Sequence, residues 1–149
     1  MPLPYHRNAF TAAQAAQVVR SNADSDEEVS LFAERVFNNQ ELVLNDVTAT
    51  LVQAEVEAIF QSWAVLAAAG LTPQEFQTGM ASSATDFKAR YQFKYACLHQ
   101  VYGTPSVFVG GVASPELSTS SATPDAWRSV LSTIALGTPE EGGVWTASH

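Results

Sequence analysis

A change of hydrophobic period near Gly103 constrains this chain more than any other feature. Before it, apolar residues recur three and four positions apart; after it comes Ser106-Val107-Phe108-Val109, a run of strand formers, and then Gly110-Gly111. The first pattern buries one face of helices. The second, closed by two glycines that accept positive φ, makes a β-hairpin. Thr123-Pro124-Asp125 then opens a last helix, with Trp127, Val130, Leu131 and Ile134 as its buried face. The expected fold class is therefore an α-rich α/β chain. Its 149 residues, 46% of them apolar, suffice for one core and one domain. That domain is expected over 1–137, closed by Gly137, with 138–149, including Trp145, as a loose tail.

Capping residues divide the helical part. Ala9 to Arg20 is alanine-rich, with Phe10, Val18 and Val19 for packing. Ser25 with Glu28 forms a capping box, and the helix behind it carries Val29, Phe32 and Val36 on one face until Asn38-Asn39. Thr50 with Gln53 predicts another box before Val52 to Ala69, whose apolar residues are Val52, Val56, Ile59, Phe60, Trp63 and Leu66; Gly70 is the expected left-handed stop. Thr72-Pro73-Gln74-Glu75 starts a short helix weakened by Gly79 and Ser82-Ser83. Ala84 to Tyr102 is expected as the best-defined helix, closed by Gly103. Its stripe of Phe87, Tyr91, Tyr95, Leu98 and Tyr102 is read as core.

Charge narrows the partners. Seven Lys and Arg stand against fifteen Asp and Glu, for a net charge of -8. Such a chain repels phosphate backbones and anionic lipid, so neither nucleic acid nor a membrane surface is expected as a partner. The longest apolar stretch, Trp63 to Leu71, falls short of the roughly 20 residues that span a bilayer, and the N-terminus lacks the pattern of a secretory signal. The default expectation is a soluble, cytoplasmic chain.

One cysteine, Cys97, excludes an internal disulfide, a Cys-x-x-Cys pair and a cysteine-rich zinc site within the chain. Cys97 lies beside the apolar stripe and is read as a small buried hydrophobe; the competing reading is a thiol activated by Lys94. His6, His99 and His149 are too isolated to form a ligand set, so neither a metal nor a cofactor is expected. No nucleophile elbow or phosphate-cradling glycine loop occurs.

The order of a long helix, Val101-Tyr102-Gly103-Thr104-Pro105-Ser106-Val107-Phe108-Val109-Gly110-Gly111, a hairpin and a final amphipathic helix resembles the second half of a thioredoxin fold. Gly103-Thr104-Pro105 before a strand is similar to the cis-proline segment of the DsbA-like branch, in which a helical insertion, here about 9–102, precedes that motif. Pro2-Leu3-Pro4-Tyr5-His6-Arg7-Asn8-Ala9 resembles the end of a central strand leading into the insertion. The resemblance covers roughly residues 1 to 136. It implies an incomplete thioredoxin-like fold, lacking the first β-α-β portion and its thiol pair, either as a truncated product or as a domain that completes its sheet with a partner. An X-Pro bond is cis in only about 5–6% of cases, and a cis bond here would expose the backbone of Thr104. In the family that backbone meets an extended peptide or glutathione, so the resemblance names Thr104 and Pro105 as the substrate-binding residues and no residue as catalytic; the alternative for the same residues is a turn with a structural role alone.

Three functions follow as expectations. The first is a thioredoxin-like, DsbA-family protein without its own redox cysteine pair, non-catalytic, binding a peptide or glutathione-like thiol compound at the cis-Pro turn and the neighbouring helical face. The second is a piece of an active disulfide oxidoreductase or of a glutathione-using kappa-type transferase or isomerase. The third is an acidic helical protein-interaction module. An open sheet edge also predicts self-association.

Overall fold

The computed structural model describes Pro2 and residues 6–136. The resemblance at Leu3 to Tyr5, the stop at Gly137 and the tail with Trp145 lie outside the described residues. The chain forms two compact units, Met1–Gln100 and Val101–His149.

The first unit is helical: α1 (Ala9–Asn22), α2 (Asp26–Asn38), a 3-10 turn over Gln40–Val43, α3 (Gln53–Ala67), α4 (Pro73–Ala81) and α5 (Ser83–Leu98). Helix α1 is the hub, packed against α2, α3, α4 and α5. Its alanines explain why: Ala15 is fully buried, Ala12 and Ala16 partly so, and small side chains let several helices approach one axis. Around it Val18, Val19, Phe32, Val56, Phe60, Trp63, Phe76 and Met80 form one core, with the Phe60 and Trp63 rings edge to face at 5.4 Å.

At Gly79 the glycine serves the packing. A Cβ there would lie 2.7 and 2.9 Å from the two Cγ atoms of Val18, so α4 sits on α1 only without one.

The caps follow the sequence in part. Thr72 and Glu75 make the full reciprocal box: the Glu75 N–H donates to Thr72 Oγ1 at 3.2 Å, and the Thr72 N–H donates to Glu75 Oε2 at 2.9 Å. Ser25 accepts from the Glu28 N–H, but Glu28 does not return the bond to Ser25. Its two carboxylate oxygens accept instead from the Asp24 N–H (2.8 Å) and from the Ala69 N–H (3.2 Å), which ties the start of α2 to the end of α3. The Thr50–Gln53 box does not form. Helix α3 is capped at Val52, whose N–H donates to Glu55 at 2.9 Å, while Gln53 turns to Thr11 and Glu57. Val52 and Leu66 are exposed, so the core face of α3 is Val56, Phe60, Trp63 and Ala64.

Neither predicted glycine stop takes a left-handed conformation: Gly70 and Gly103 are absent from the positive-φ residues. Helix α5 ends at Leu98, and Gln100, at φ 58°, makes the left-handed turn three residues before Gly103.

The segment between α2 and α3 has little regular structure and is held by side chains from the start of α1. Asn8, buried, donates from Nδ2 to Val43 O (2.9 Å) and to Thr48 Oγ1 (2.7 Å), and Thr48, fully buried, donates onward to Leu44 O. The Arg7 N–H donates to Asn45 Oδ1, and its guanidinium reaches Thr48 O and Leu51 O.

The second unit holds β1 (Phe108–Val109), β2 (Val112–Ala113) and α6 (Pro124–Leu136). The strands pair antiparallel, Phe108 opposite Ala113 and Val109 opposite Val112, around Gly110 (φ 59°) and Gly111 (φ 84°). Two successive positive φ values match the right-handed strand twist, which is why Gly-Gly stands there. Thr123 caps α6, accepting at Oγ1 from the Ala126 N–H at 3.2 Å. Of the buried face expected of α6, Trp127 and Leu131 are exposed and Val130 is half-buried, as is Ala126, while the Ile134 side chain lies outside the described residues. The coarse expectation of an α-rich chain with one small antiparallel hairpin therefore holds.

Candidate functional site

The turn that carries Thr104 and Pro105 is built by serines. Ser106 Oγ donates to Gly103 O at 2.7 Å and closes the turn from within. The strand that follows is tied down at Val107, whose N–H donates to Ser118 Oγ (3.0 Å) and whose carbonyl accepts from the Ser114 N–H (2.9 Å). Ser118 Oγ in turn donates to Ser114 O at 2.7 Å, so one hydroxyl joins the hairpin to the loop after it. Leu117, in that loop, is buried.

Thr104 and Pro105 lie on the exposed side of this frame, and the bond between them is cis. Neither the N–H nor the C=O of Thr104 has a hydrogen-bond partner among the described residues. Chemically the turn offers one backbone donor and one acceptor, set between Gly103, whose carbonyl accepts from Ser106, and the anchored Val107, to whatever extended group lies along it. Ser106, expected as the start of the strand, instead holds the turn, and Ser114 and Ser118 hold it with no such role expected of them. Their signal was the serine just past the proline and the Ser-Pro step opening the next loop, both turn-forming patterns.

The other candidates are placed differently from expectation. Cys97 is exposed on α5; it is not the buried small hydrophobe its position beside the stripe suggested. His99, just beyond it, packs its ring against Tyr95 at 4.2 Å between centroids, with Nδ1 2.9 Å from Tyr95 O. No group of three His, Cys, Asp or Glu able to hold a metal occurs among the described residues. No helix there is long and apolar enough to cross a membrane.

The aromatic stripe is the largest correction. Phe87, Tyr91, Tyr95 and Leu98 are between 62% and 81% exposed, and Tyr102 is exposed beyond the helix end. The face of α5 turned to the core is its small one, Thr85 and Ala89, with Phe93 and Ala96 half-buried. The cause lies in α1. Close approach to an alanine-rich helix needs small partners, and polar bonds from Gln17 to Gln92 and from Lys88 to Ser21, with Arg90 stacked 5.1 Å over the Phe10 ring, fix that orientation.

Against known proteins the chain stands apart. It matches no family model, no curated protein and no solved structure.

Among the described groups two ionisable side chains are clearly shifted, both through local hydrogen bonds. The Thr72 hydroxyl and then its backbone N–H hold the Glu75 carboxyl below the usual glutamate range. Asp86, accepting from Arg90 Nε at 2.6 Å, raises Arg90 further. Both belong to surface caps and pairs, not to a reaction centre.

Proposed function

We propose that this chain is a thioredoxin-like protein of the DsbA type that performs no thiol–disulfide exchange by itself and binds an extended peptide or a glutathione-like thiol compound at Thr104–Pro105. The observation that carries the reading is the exposed Thr104 backbone, with donor and acceptor both unpartnered among the described residues, three residues before Val107, which is anchored through both its N–H and its carbonyl at the head of the hairpin. The order of elements supports it: a long helix, a Gly-Thr-Pro turn, an antiparallel hairpin and a closing helix. The non-catalytic part rests on a single cysteine, which leaves the chain no second thiol to form or break an internal disulfide.

An extended ligand would pair its backbone with Thr104 as a strand pairs with its neighbour, so affinity comes from main-chain bonds. The test is an amide-shift titration of the isotope-labelled chain with reduced glutathione and, separately, with an unstructured peptide. Saturable shifts centred on Thr104, Ser106 and Val107, abolished by Thr104→Pro with the fold intact, are expected. Shifts confined to other residues, or none with either ligand, refute the site. Turnover of a dithiol substrate above the buffer rate by the same preparation refutes the non-catalytic reading.

A further inference from the structure

From two exposed helix faces of opposite charge on the first unit, we infer that this chain binds a second copy of itself, the outer face of α5 on one chain lying against the outer face of α2 on the other. The α5 face is Phe87, Tyr91, Lys94 and Leu98, at helical spacings of four, three and four, with Tyr95 beside it. The α2 face is Glu27, Leu31 and Glu34, with Phe37, 70% exposed, on its flank. Each carries large apolar side chains in water, and each has charged groups set among them. Lys94, Glu27 and Glu34 are exposed, and none has an ion-pair or hydrogen-bond partner among the described residues.

Charge selects the pairing. The chain is acidic overall, yet three of its seven cations, Lys88, Arg90 and Lys94, stand on α5, against Asp86 alone there. An α5-to-α5 contact would bring Lys94 against the same cluster on the other copy, and α2-to-α2 would oppose Glu27 and Glu34. Only the unlike pairing sets Lys94 among the glutamates while covering Tyr91 and Leu98 with Leu31 and Phe37. Such a contact closes as a two-fold pair where each chain offers both faces to the same neighbour, and otherwise continues from chain to chain until a ring closes. The hairpin is the weaker means of self-association, because each of its strands pairs over two residues only.

The experiment is sedimentation velocity of the full chain over a wide concentration range at low and high salt. Concentration-dependent association that weakens with salt is expected. Lys94→Glu and Glu34→Lys, exposed positions where charge reversal leaves the fold intact by circular dichroism, should each weaken it about tenfold or more. Mixing K94E with E34K should restore it, since one contact then carries the reversed pair and the other the original pair. A chain that stays monomeric throughout overturns the inference. So does association insensitive to either reversal, which places the contact elsewhere, or failure of the mixture to recover. These outcomes are independent of ligand binding at Thr104–Pro105.

Discussion

Gly79→Ala should destabilise the first unit even though alanine is the better helix former. In the interior of α4 the exchange gains about 0.8–1.0 kcal/mol of helix propensity. Against that stands the new Cβ at 2.7 and 2.9 Å from the Val18 Cγ atoms, well inside van der Waals contact. Val18 cannot swing away. It is buried in the middle of α1, and a β-branched side chain in a helix has essentially one rotamer. Overpacking of this kind costs about 1–3 kcal/mol, so the net effect is a loss of about 1 kcal/mol. Chemical denaturation of the four chains of a double-mutant cycle isolates the cause. Val18→Ala alone costs roughly 2–3 kcal/mol by transfer and cavity formation. In that background the clashing methyls are gone, and Gly79→Ala should change sign and stabilise by up to its propensity gain of about 1 kcal/mol. A stabilising Gly79→Ala in the parent chain would show that α4 does not approach α1 closely. Equal destabilisation in both backgrounds would show that Val18 is not the obstacle.

Two further outcomes test the polar framework. Asn8→Ala removes the donor to Val43 O and Thr48 Oγ1 and leaves buried acceptors unsatisfied, so a loss of about 2 kcal/mol is expected by urea denaturation. Asn8→Asp should be no better, because a carboxylate cannot donate either bond; a neutral outcome for both would remove the latch from the account. Glu75 gives a pH dependence of known sign. Its carboxyl is held below the ordinary range in the folded chain, so its stabilisation is complete above the unfolded glutamate value and drains away as pH falls through the folded value. The stability difference between the parent and Glu75→Gln should accordingly shrink from neutral pH into mild acid. A difference that is constant or grows over that window refutes the assignment.

Local chemistry was legible in the sequence wherever a residue and its partner lie within one turn. Thr72-Pro73-Gln74-Glu75 and Gly110-Gly111 specify their own geometry, and both form as their residues require. The Gly-Thr-Pro segment, too, is a turn before a strand. What failed depended on distant partners. The period of α5 is satisfied equally by its aromatic stripe facing in or out. The decision falls to α1, dozens of residues away, against which α5 buries Thr85 and Ala89 and half-buries Phe93 and Ala96. Glu28 was legible as a capping residue, but its bond to the Ala69 N–H depends on where α3 ends. At the candidate site, Thr104 and Pro105 could be named from their own triplet. Ser118, eleven residues beyond Val107, is joined to it only by the fold of the intervening loop.

The latch formed by Arg7, Asn8 and Thr48 also bears on how the chain acquires its shape. The stretch between α2 and α3 has a 3-10 turn and local turn bonds such as Thr48 N–H to Leu44 O, and its bonds to Asn8 and Arg7 span 35 to 44 positions of sequence. Such contacts carry the full entropic cost of closing a long loop, and they form only once both ends are already near each other. The alanines of α1 favour its helix locally, whereas the conformation of residues 43–51 rests in part on these remote bonds and follows them. In the native protein the same dependence runs backwards: fraying at the first turn of α1 takes away the bonds that Arg7 and Asn8 make to that segment, which couples the local opening of two stretches remote in sequence.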